Sequence, residues 1–335
     1  MKRRHQYLDR ETGHLVNEKL YGDSIIRFLY SAVREHTPAL FRAFTGRRIS
    51  GMIGFINYDL FLGGKLSGHK RFMKNCGIDL RECLDPLAYL DTATKIFQRK
   101  IRYWDCRPMP EEPAAIVSPA DARMLIGSLS DDSQFFIKGK FFEYQEILGR
   151  NKRHWLEAFD QGTAAIFRLT PEKYHYNHTP VSGTVVDFYE ISGAYNSCNP
   201  NAVVEMVTPY SKNKRTVTII DTDVPNGTGV GLVAFIEVVA LMIGGIRQCY
   251  SVNRYDNPLP VFAGMFLERG VPKSVYVPGS STDILLFQKG RVQFDADILR
   301  NLGHQTARNR FKAVFEQELI ETDVKVRSKI GDRQR

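Results

Sequence analysis

The sequence predicts an α+β fold in which an N-terminal helical region packs on a β-rich core of two sheets. Three observations carry this expectation. Apolar residues recur at helical spacing over much of residues 15–105. A proline-rich stretch, "RPMPEEPAAIVSPADARM" at residues 107–124, then breaks the pattern. Beyond it come short β-like runs separated by Gly, Pro, Asn and Asp. The expected units are residues 1–106 for the helical region, 107–303 for the β-rich core and 304–335 for a C-terminal helix and tail.

Within the first unit, "DSIIRFLYSAVREHTPALFRAF" (23–44) predicts an amphipathic helix with Asp23 or Ser24 as its N-cap. "DPLAYLDTATKIFQRKIRYW" (85–104) predicts another, with Asp85 capping and Pro86 in the first turn. Between them, residues 47–72 are apolar, Gly-rich and basic at both ends. That segment reads either as a loop and short helix on the core or as a peripheral membrane contact. In the second reading its apolar side chains enter lipid, and Arg47, Arg48, Lys65, Lys70 and Arg71 meet acidic head groups.

In the core, "AAIFRLT", "GTVVDFYEI", "AVVEMVT", "RTVTIID", "LVAFIEVVALMI", "SVYV" and "TDILLF" read as strands. The most apolar stretch, residues 229–246, is rich in β-branched residues and carries Glu237 at its middle. It reads as a buried strand or strand pair, because a membrane span would be short and would hold a costly charge. Residues 306–320, "TARNRFKAVFEQELI", predict an amphipathic helix docked on the core.

Composition narrows the partners. The chain has 335 residues and a formal charge of +9, which favours an anionic partner. No dense Lys/Arg run is interleaved with aromatics, so nucleic acid is not an expected partner. The five cysteines are scattered and include no C-x-x-C pair, which argues against a disulfide framework and a structural zinc site. Such usage suits a reducing compartment, and the charged start lacks the apolar centre of a secretory signal. A cytoplasmic location is expected.

Three motifs stand out from the strands. "SPADA" (118–122) puts Asp121 just after a proline turn; "KYHYNHTPVSG" (173–183) spaces His175 and His178 three residues apart; "PGSSTDILLF" (278–287) runs paired serines into an apolar strand. Singly, each reads as a turn or a satisfied polar group, and His-x-x-His without a third ligand leaves no metal site to expect. Together they supply a hydroxyl, an imidazole and a carboxylate, the parts of a nucleophile relay. The hydroxyl lies at the start of a strand rather than in a G-x-S-x-G elbow, which suits a residue that attacks its own chain.

With these motifs the chain resembles the phosphatidylserine decarboxylase family, whose members are self-cleaving and pyruvoyl-dependent. The resemblance spans about residues 15–300, and seven motifs fall in family order. They are "FQRKIRYWDCRPMP", "SPADA", "KYHYNHTPVSG", "AYNSCNP", "KNKRTVTIIDT", "VVALMIGGI" and "PGSSTDILLF". The resemblance implies that His178, oriented by Asp121, deprotonates Ser281, which attacks the Ser280 carbonyl and splits the chain between residues 280 and 281. Counting back from Phe287 favours this register; the alternative cleaves between Gly279 and Ser280.

Ser281 would become the pyruvoyl cofactor, the substrate amine would join it as a Schiff base, and His175 would serve proton transfer. The implied reaction converts phosphatidylserine to phosphatidylethanolamine and carbon dioxide at an anionic membrane surface, by a homodimer at the inner face of the membrane. The alternatives are decarboxylation of a soluble amino acid, such as an aromatic one, or an unprocessed, non-enzymatic relic of the family. Three departures mark this chain: Ala122 and Ser280 stand where the family has glycine, and Glu237 where it has an apolar residue. Glu237 therefore needs a partner or faces the pocket, and Glu237 and Thr282 are the substrate-pocket candidates.

Overall fold

The computed structural model describes residues 5–20, 36–37, 41, 45, 73–74, 77–130, 141–205, 208–240, 245–277, 281–311 and 318–334. The expected helix at 23–44 lies almost wholly outside these residues. So does the whole of the apolar, basic-flanked segment at 47–71, and so do Gly279 and Ser280.

The described residues form sixteen strands. In chain order they are β1 (Gln6–Asp9), β2 (Leu15–Asn17), β3 (Ala115–Val117), β4 (Ala122–Ser128), β5 (Thr163–Leu169), β6 (Tyr176–His178), β7 (Gly183–Ile191) and β8 (Arg215–Asp221). There follow β9 (Leu232–Val238), β10 (Ile246–Gln248), β11 (Phe266–Leu267), β12 (Pro272–Tyr276), β13 (Ser281–Phe287), β14 (Val292–Phe294), β15 (Glu321–Val324) and β16 (Lys329–Arg333). Ten of them make one sheet in the order β11-β7-β8-β9-β13-β5-β4-β15-β1-β2. Two three-stranded sheets, β10-β12-β6 and β14-β16-β3, accompany it, so the core has three sheets where the sequence predicts two.

Strand β13 lies inside the large sheet. All seven of its residues pair with β5, from Ser281 opposite Leu169 to Phe287 opposite Thr163, and six pair with β9. Alternation along the strand sends Ile284 and Leu286 into one core with Ile166 and Ile236. Leu285 and Phe287 enter a second core with Phe167 and Phe235. A sheet covered on both faces accounts for the nearly unbroken apolar runs of β9 and β13, which carry no polar-out alternation.

Several local expectations are overturned. Residues 85–104 do not form one helix: Thr92 caps a short helix Ala93–Phe97, and a second short helix spans Tyr103–Cys106. Asp85 instead accepts the Lys100 amide (2.7 Å), and Ile101 bridges back to Cys83, so the chain folds on itself. "AVVEMVT" is no strand, because Asn199 accepts the Asn201 amide and starts the helix Pro200–Glu205, with proline at its first position. The helix expected within 306–320 is absent from the described part of that segment. There the Arg308 amide donates to the Gln6 side chain and the Arg308 carbonyl accepts the Gln6 amide. The C-terminal tail is part of the core: β15 lies between β4 and β1, and β16 between β14 and β3.

One buried ionic cluster ties both ends of the chain to the sheet centre. Arg168, on β5, binds Glu321 of β15 and Glu18 after β2, each at 2.7 Å, and His5 Nε2 lies 2.9 Å from Glu321. His5, Glu18 and Glu321 approach one another as metal ligands do, but the Arg168 guanidinium already hydrogen-bonds both carboxylates. Burial pushes the Glu321 carboxyl up; the Arg168 charge and the bonds from His5 and Arg168 outweigh it and hold the carboxyl low.

Two outcomes follow from this architecture. Arg168→Met leaves the buried Glu18 and Glu321 without the guanidinium they share, and should cost about 3–5 kcal/mol in urea unfolding at neutral pH. The deficit should shrink as the pH falls below about 4.3, where an unfolded glutamate takes up its proton. If the chain is cut just before Ser281, the two pieces should co-elute in native size exclusion and separate only in denaturant, because β13, β15 and β16 are interleaved with earlier strands.

Candidate active site

The first residue of β13 is Ser281, fully buried at the end of the sheet's central strand. The turn before it lies outside the described residues. On the same face as Ser281 stands Asp283, two residues along, while Thr282 points to the opposite layer, toward Cys198 and Tyr210. Thr282 therefore does not join the groups gathered around Ser281 and Asp283, contrary to its expected place in the pocket.

The sheet β10-β12-β6 packs over that face. Strand β6 is "YNH", so His175 precedes it and His178 ends it. The carbonyl of His175 accepts the amide of Tyr276, the last residue of β12, and so the histidine strand lies beside the strand that leads to Ser281. Both imidazoles are fully buried and neutral. His175 gives its Nδ1 proton to the Lys173 carbonyl (2.8 Å) and stacks on Phe97 with ring centroids 3.5 Å apart. Its Nε2 is then a bare acceptor, and burial together with the Arg99 charge holds it far below ordinary protonation. His178 gives its Nδ1 proton to the Gly270 carbonyl (2.9 Å) and meets the Tyr174 hydroxyl at Nε2 (3.0 Å). Burial pushes its pKa down to about 3, despite the bond to Gly270.

Asp121 is buried nearby, but among the described residues it makes no hydrogen bond to His178. Its carboxylate takes two bonds from Arg107, at 3.0 and 2.7 Å, and one from the Val326 amide at 2.8 Å. Burial alone would raise its pKa, yet the Arg107 charge and these bonds bring it down to about 2. The imidazole of His178 is oriented by Gly270, and Asp121 acts on it through its charge and through the backbone rather than by a direct hydrogen bond. The His178 amide donates to the Pro119 carbonyl (2.7 Å), in the turn that Asp121 anchors. Ala122, in place of the family glycine, begins β4 and is not among the positive-φ residues, so its methyl strains nothing there.

Glu237 has its partners. Its carboxylate receives Lys273 Nζ (2.6 Å), Gln248 Nε2 (3.0 Å), Asn177 Nδ2 (3.1 Å) and the Ser274 hydroxyl. All but Gln248 are fully buried, and Lys273 offsets the burial cost to keep Glu237 ionised. Directly opposite Glu237 in the β9–β13 register is Asp283, also fully buried. It accepts a hydrogen bond from Tyr276 (2.7 Å), but burial and the neighbouring Glu237 charge push its pKa far up, so it stays a neutral acid. Among the described residues, the Ser281 hydroxyl, His175 Nε2 and Asp283 Oδ2 are buried with no hydrogen-bond partner.

Sequence reasoning singled out Asp121, His175, His178, Glu237 and Ser281, and missed Arg107, Tyr174, Lys273, Tyr276 and Asp283. A signal existed for two of these. Lys273 and Asp283 are lone charges in apolar strands, and a charge so placed must find a partner or lose its charge. Lys273→Met should therefore destabilise the fold by about 3–5 kcal/mol in denaturant titration, and adding Glu237→Met should restore most of that loss.

A family model described as phosphatidylserine decarboxylase matches residues 93–307. A phosphatidylserine decarboxylase proenzyme of Fusobacterium nucleatum is 28% identical over 303 residues, covering 88% of this chain and 91% of the relative. One from Chlamydia trachomatis is 30% identical over 305 residues, with 88% and 90% coverage. Proenzyme 2 of Oryza sativa is 33% identical over 228 residues, 67% of this chain and 34% of its own length. The matched span runs from the helix before His175 to beyond the strand that Ser281 opens, and on that extent the chain belongs to the phosphatidylserine decarboxylase family.

Proposed function

We propose that this chain cleaves itself before Ser281 and then decarboxylates phosphatidylserine to phosphatidylethanolamine and carbon dioxide. The observation that carries this reading is a buried, unpartnered serine hydroxyl at the head of a central strand, in a chain of this family. The relatives' names favour the phospholipid over a soluble amino acid, and their description as proenzymes favours processing over a relic.

In the processing step, His178 exchanges the Tyr174 hydroxyl at Nε2 for that of Ser281 and takes its proton. The oxygen attacks the residue 280 carbonyl, the amide C–N bond breaks and an ester forms. Loss of the Ser281 α-proton then breaks the Cβ–O bond and frees residue 280 as a carboxylate. Water displaces the nitrogen as ammonia and leaves a keto group at position 281. Asp121 is a positioning residue, holding with Arg107 the turn whose Pro119 carbonyl fixes the His178 backbone.

The surroundings of Ser281 suit a pyruvoyl group, since they offer a neutral acceptor at His175 and a buried acid at Asp283 rather than a fixed charge. That group, once formed, supplies the electrophilic carbonyl and electron sink for loss of the carboxylate. His175 takes a proton from the substrate ammonium, which makes the amine nucleophilic, and returns it to the product amine. Among the described residues, no helix is long and apolar enough to cross a membrane. We assign the segment at 47–71 to peripheral contact with an anionic bilayer at its inner face, and the working unit to a homodimer.

Intact mass and denaturing electrophoresis test the reading. The purified chain should give two fragments, the smaller beginning at residue 281 with a blocked terminus, and Ser281→Ala should remain whole and inactive. His175→Ala should still split but lose at least about 100-fold in kcat on phosphatidylserine micelles. Full activity in an uncleaved chain would remove the pyruvoyl scheme, and a smaller fragment beginning at residue 280 would move the cofactor to Ser280.

A further inference from the structure

The proposed reaction needs an acid, and in the resting site both histidines are neutral acceptors. The proton that His175 takes from the substrate ammonium is the one it returns to the product amine. Carbon dioxide leaves with the C–C electron pair still on the substrate, and a proton must then reach the α-carbon. His175 and His178 both spend their Nδ1 protons on backbone carbonyls and keep Nε2 as an acceptor. Arg107 and Lys273 are committed to carboxylates.

Asp283 differs from these groups in three respects. It shares the face of β13 with Ser281, at a separation of roughly 7 Å along the strand. An amine engaged at position 281 would carry its α-carbon one bond further out, within reach of a group on the same face. Its cross-strand partner is a carboxylate, Glu237, whose two oxygens are filled by four donors. Two carboxyls side by side in a dry site cannot both ionise, and the one with more donors keeps the charge. Among the described residues Asp283 has one hydrogen-bond partner, the Tyr276 hydroxyl at Oδ1, and Oδ2 is left to give up the acid proton. That oxygen is buried and has no partner among the described residues.

We propose that Asp283 is the acid that protonates the substrate α-carbon, and that Glu237 is the positioning residue that keeps it in the acid form. The C–COO⁻ bond breaks, carbon dioxide departs, and the electron pair of that bond ends as the new C–H bond made with the Asp283 proton. Asp283 is left as a carboxylate beside Glu237, an unfavourable pair that recovers a proton from solvent after release, which balances the one proton consumed per turnover. The groups that face Asp283 are Glu237 from β9 and Lys273 and Tyr276 from β12, while β5 presents Phe167. The proposal rests on the pyruvoyl reading of the site.

The first test does not involve turnover. In Ser281→Ala protein labelled with ¹³C-carboxyl aspartate, one aspartate should remain protonated at pH 8. That signal should vanish in the added Asp283→Asn variant and shift to lower pH with Glu237→Gln. Absence of any protonated aspartate at pH 8 would overturn the proposal without need of a folded Asp283 variant. The second test uses the processed enzyme on phosphatidylserine micelles. Asp283→Asn should still yield both fragments by mass yet lose on the order of 100-fold or more in kcat, with Asp283→Glu recovering part. A cleaved Asp283→Asn enzyme within about threefold of the parent kcat would sink the role of Asp283 and leave the pyruvoyl reading intact. Activity that survives in Ser281→Ala would instead sink that reading.

Discussion

Everything about this site depends on where β13 sits. A strand paired along its whole length with β5, and along six residues with β9, cannot shift without breaking two ladders. Its first residue is therefore held with the precision of the sheet. A one-residue slip would exchange the two faces of the strand, burying Thr282 where Ser281 and Asp283 now stand. The same clamping would let the backbone be cut in front of β13, as proposed, at little structural cost. The later strands β15 and β16 are threaded among earlier ones, so the smaller piece has no route out of the fold.

Charge is arranged to match. The large sheet buries several carboxylates, and nearly every one meets a cation: Asp121 meets Arg107, Glu321 meets Arg168, and Glu237 meets Lys273. Losing one partner of such a pair costs several kcal/mol, so each is fixed by its neighbour. Asp283 is the exception, set against a carboxylate and given a single hydroxyl. The other deep acids among the described residues are paired with cations, so an acid held neutral two residues from Ser281 marks a place where a proton can be moved. The two histidines complement it, since burial and their carbonyl partners keep both as acceptors.

Much of the core was legible in the chain. "GTVVDFYEI" and "RTVTIID" coincide with β7 and β8, and β5, β9, β12 and β13 fall within a residue or two of their apolar runs at one end or both. Two of the errors have local causes. "AVVEMVT" is apolar enough for a strand, and only the Asn199-Pro200 start decides for a helix. Residues 85–104 show a helical period, but Thr92 starts the helix late and the following residues turn back to Cys83. The tail at 306–320 is amphipathic, yet the Arg308 backbone bonds to Gln6, three hundred residues away, which no local pattern contains.

The sequence by itself determined the chemistry on offer: which strands bury, that a hydroxyl opens one of them, and that two histidines and an aspartate stand in family order ahead of it. Those facts are local, set by periodicity and by residue type. The tertiary structure alone decided who meets whom. It gave Asp121 to Arg107 rather than to His178, turned Thr282 away from Ser281, joined Glu237 to Lys273 and set Asp283 against Glu237. Register and burial determine such pairings, and both belong to contacts between distant strands. The ionisation state of each acid and imidazole follows from those contacts.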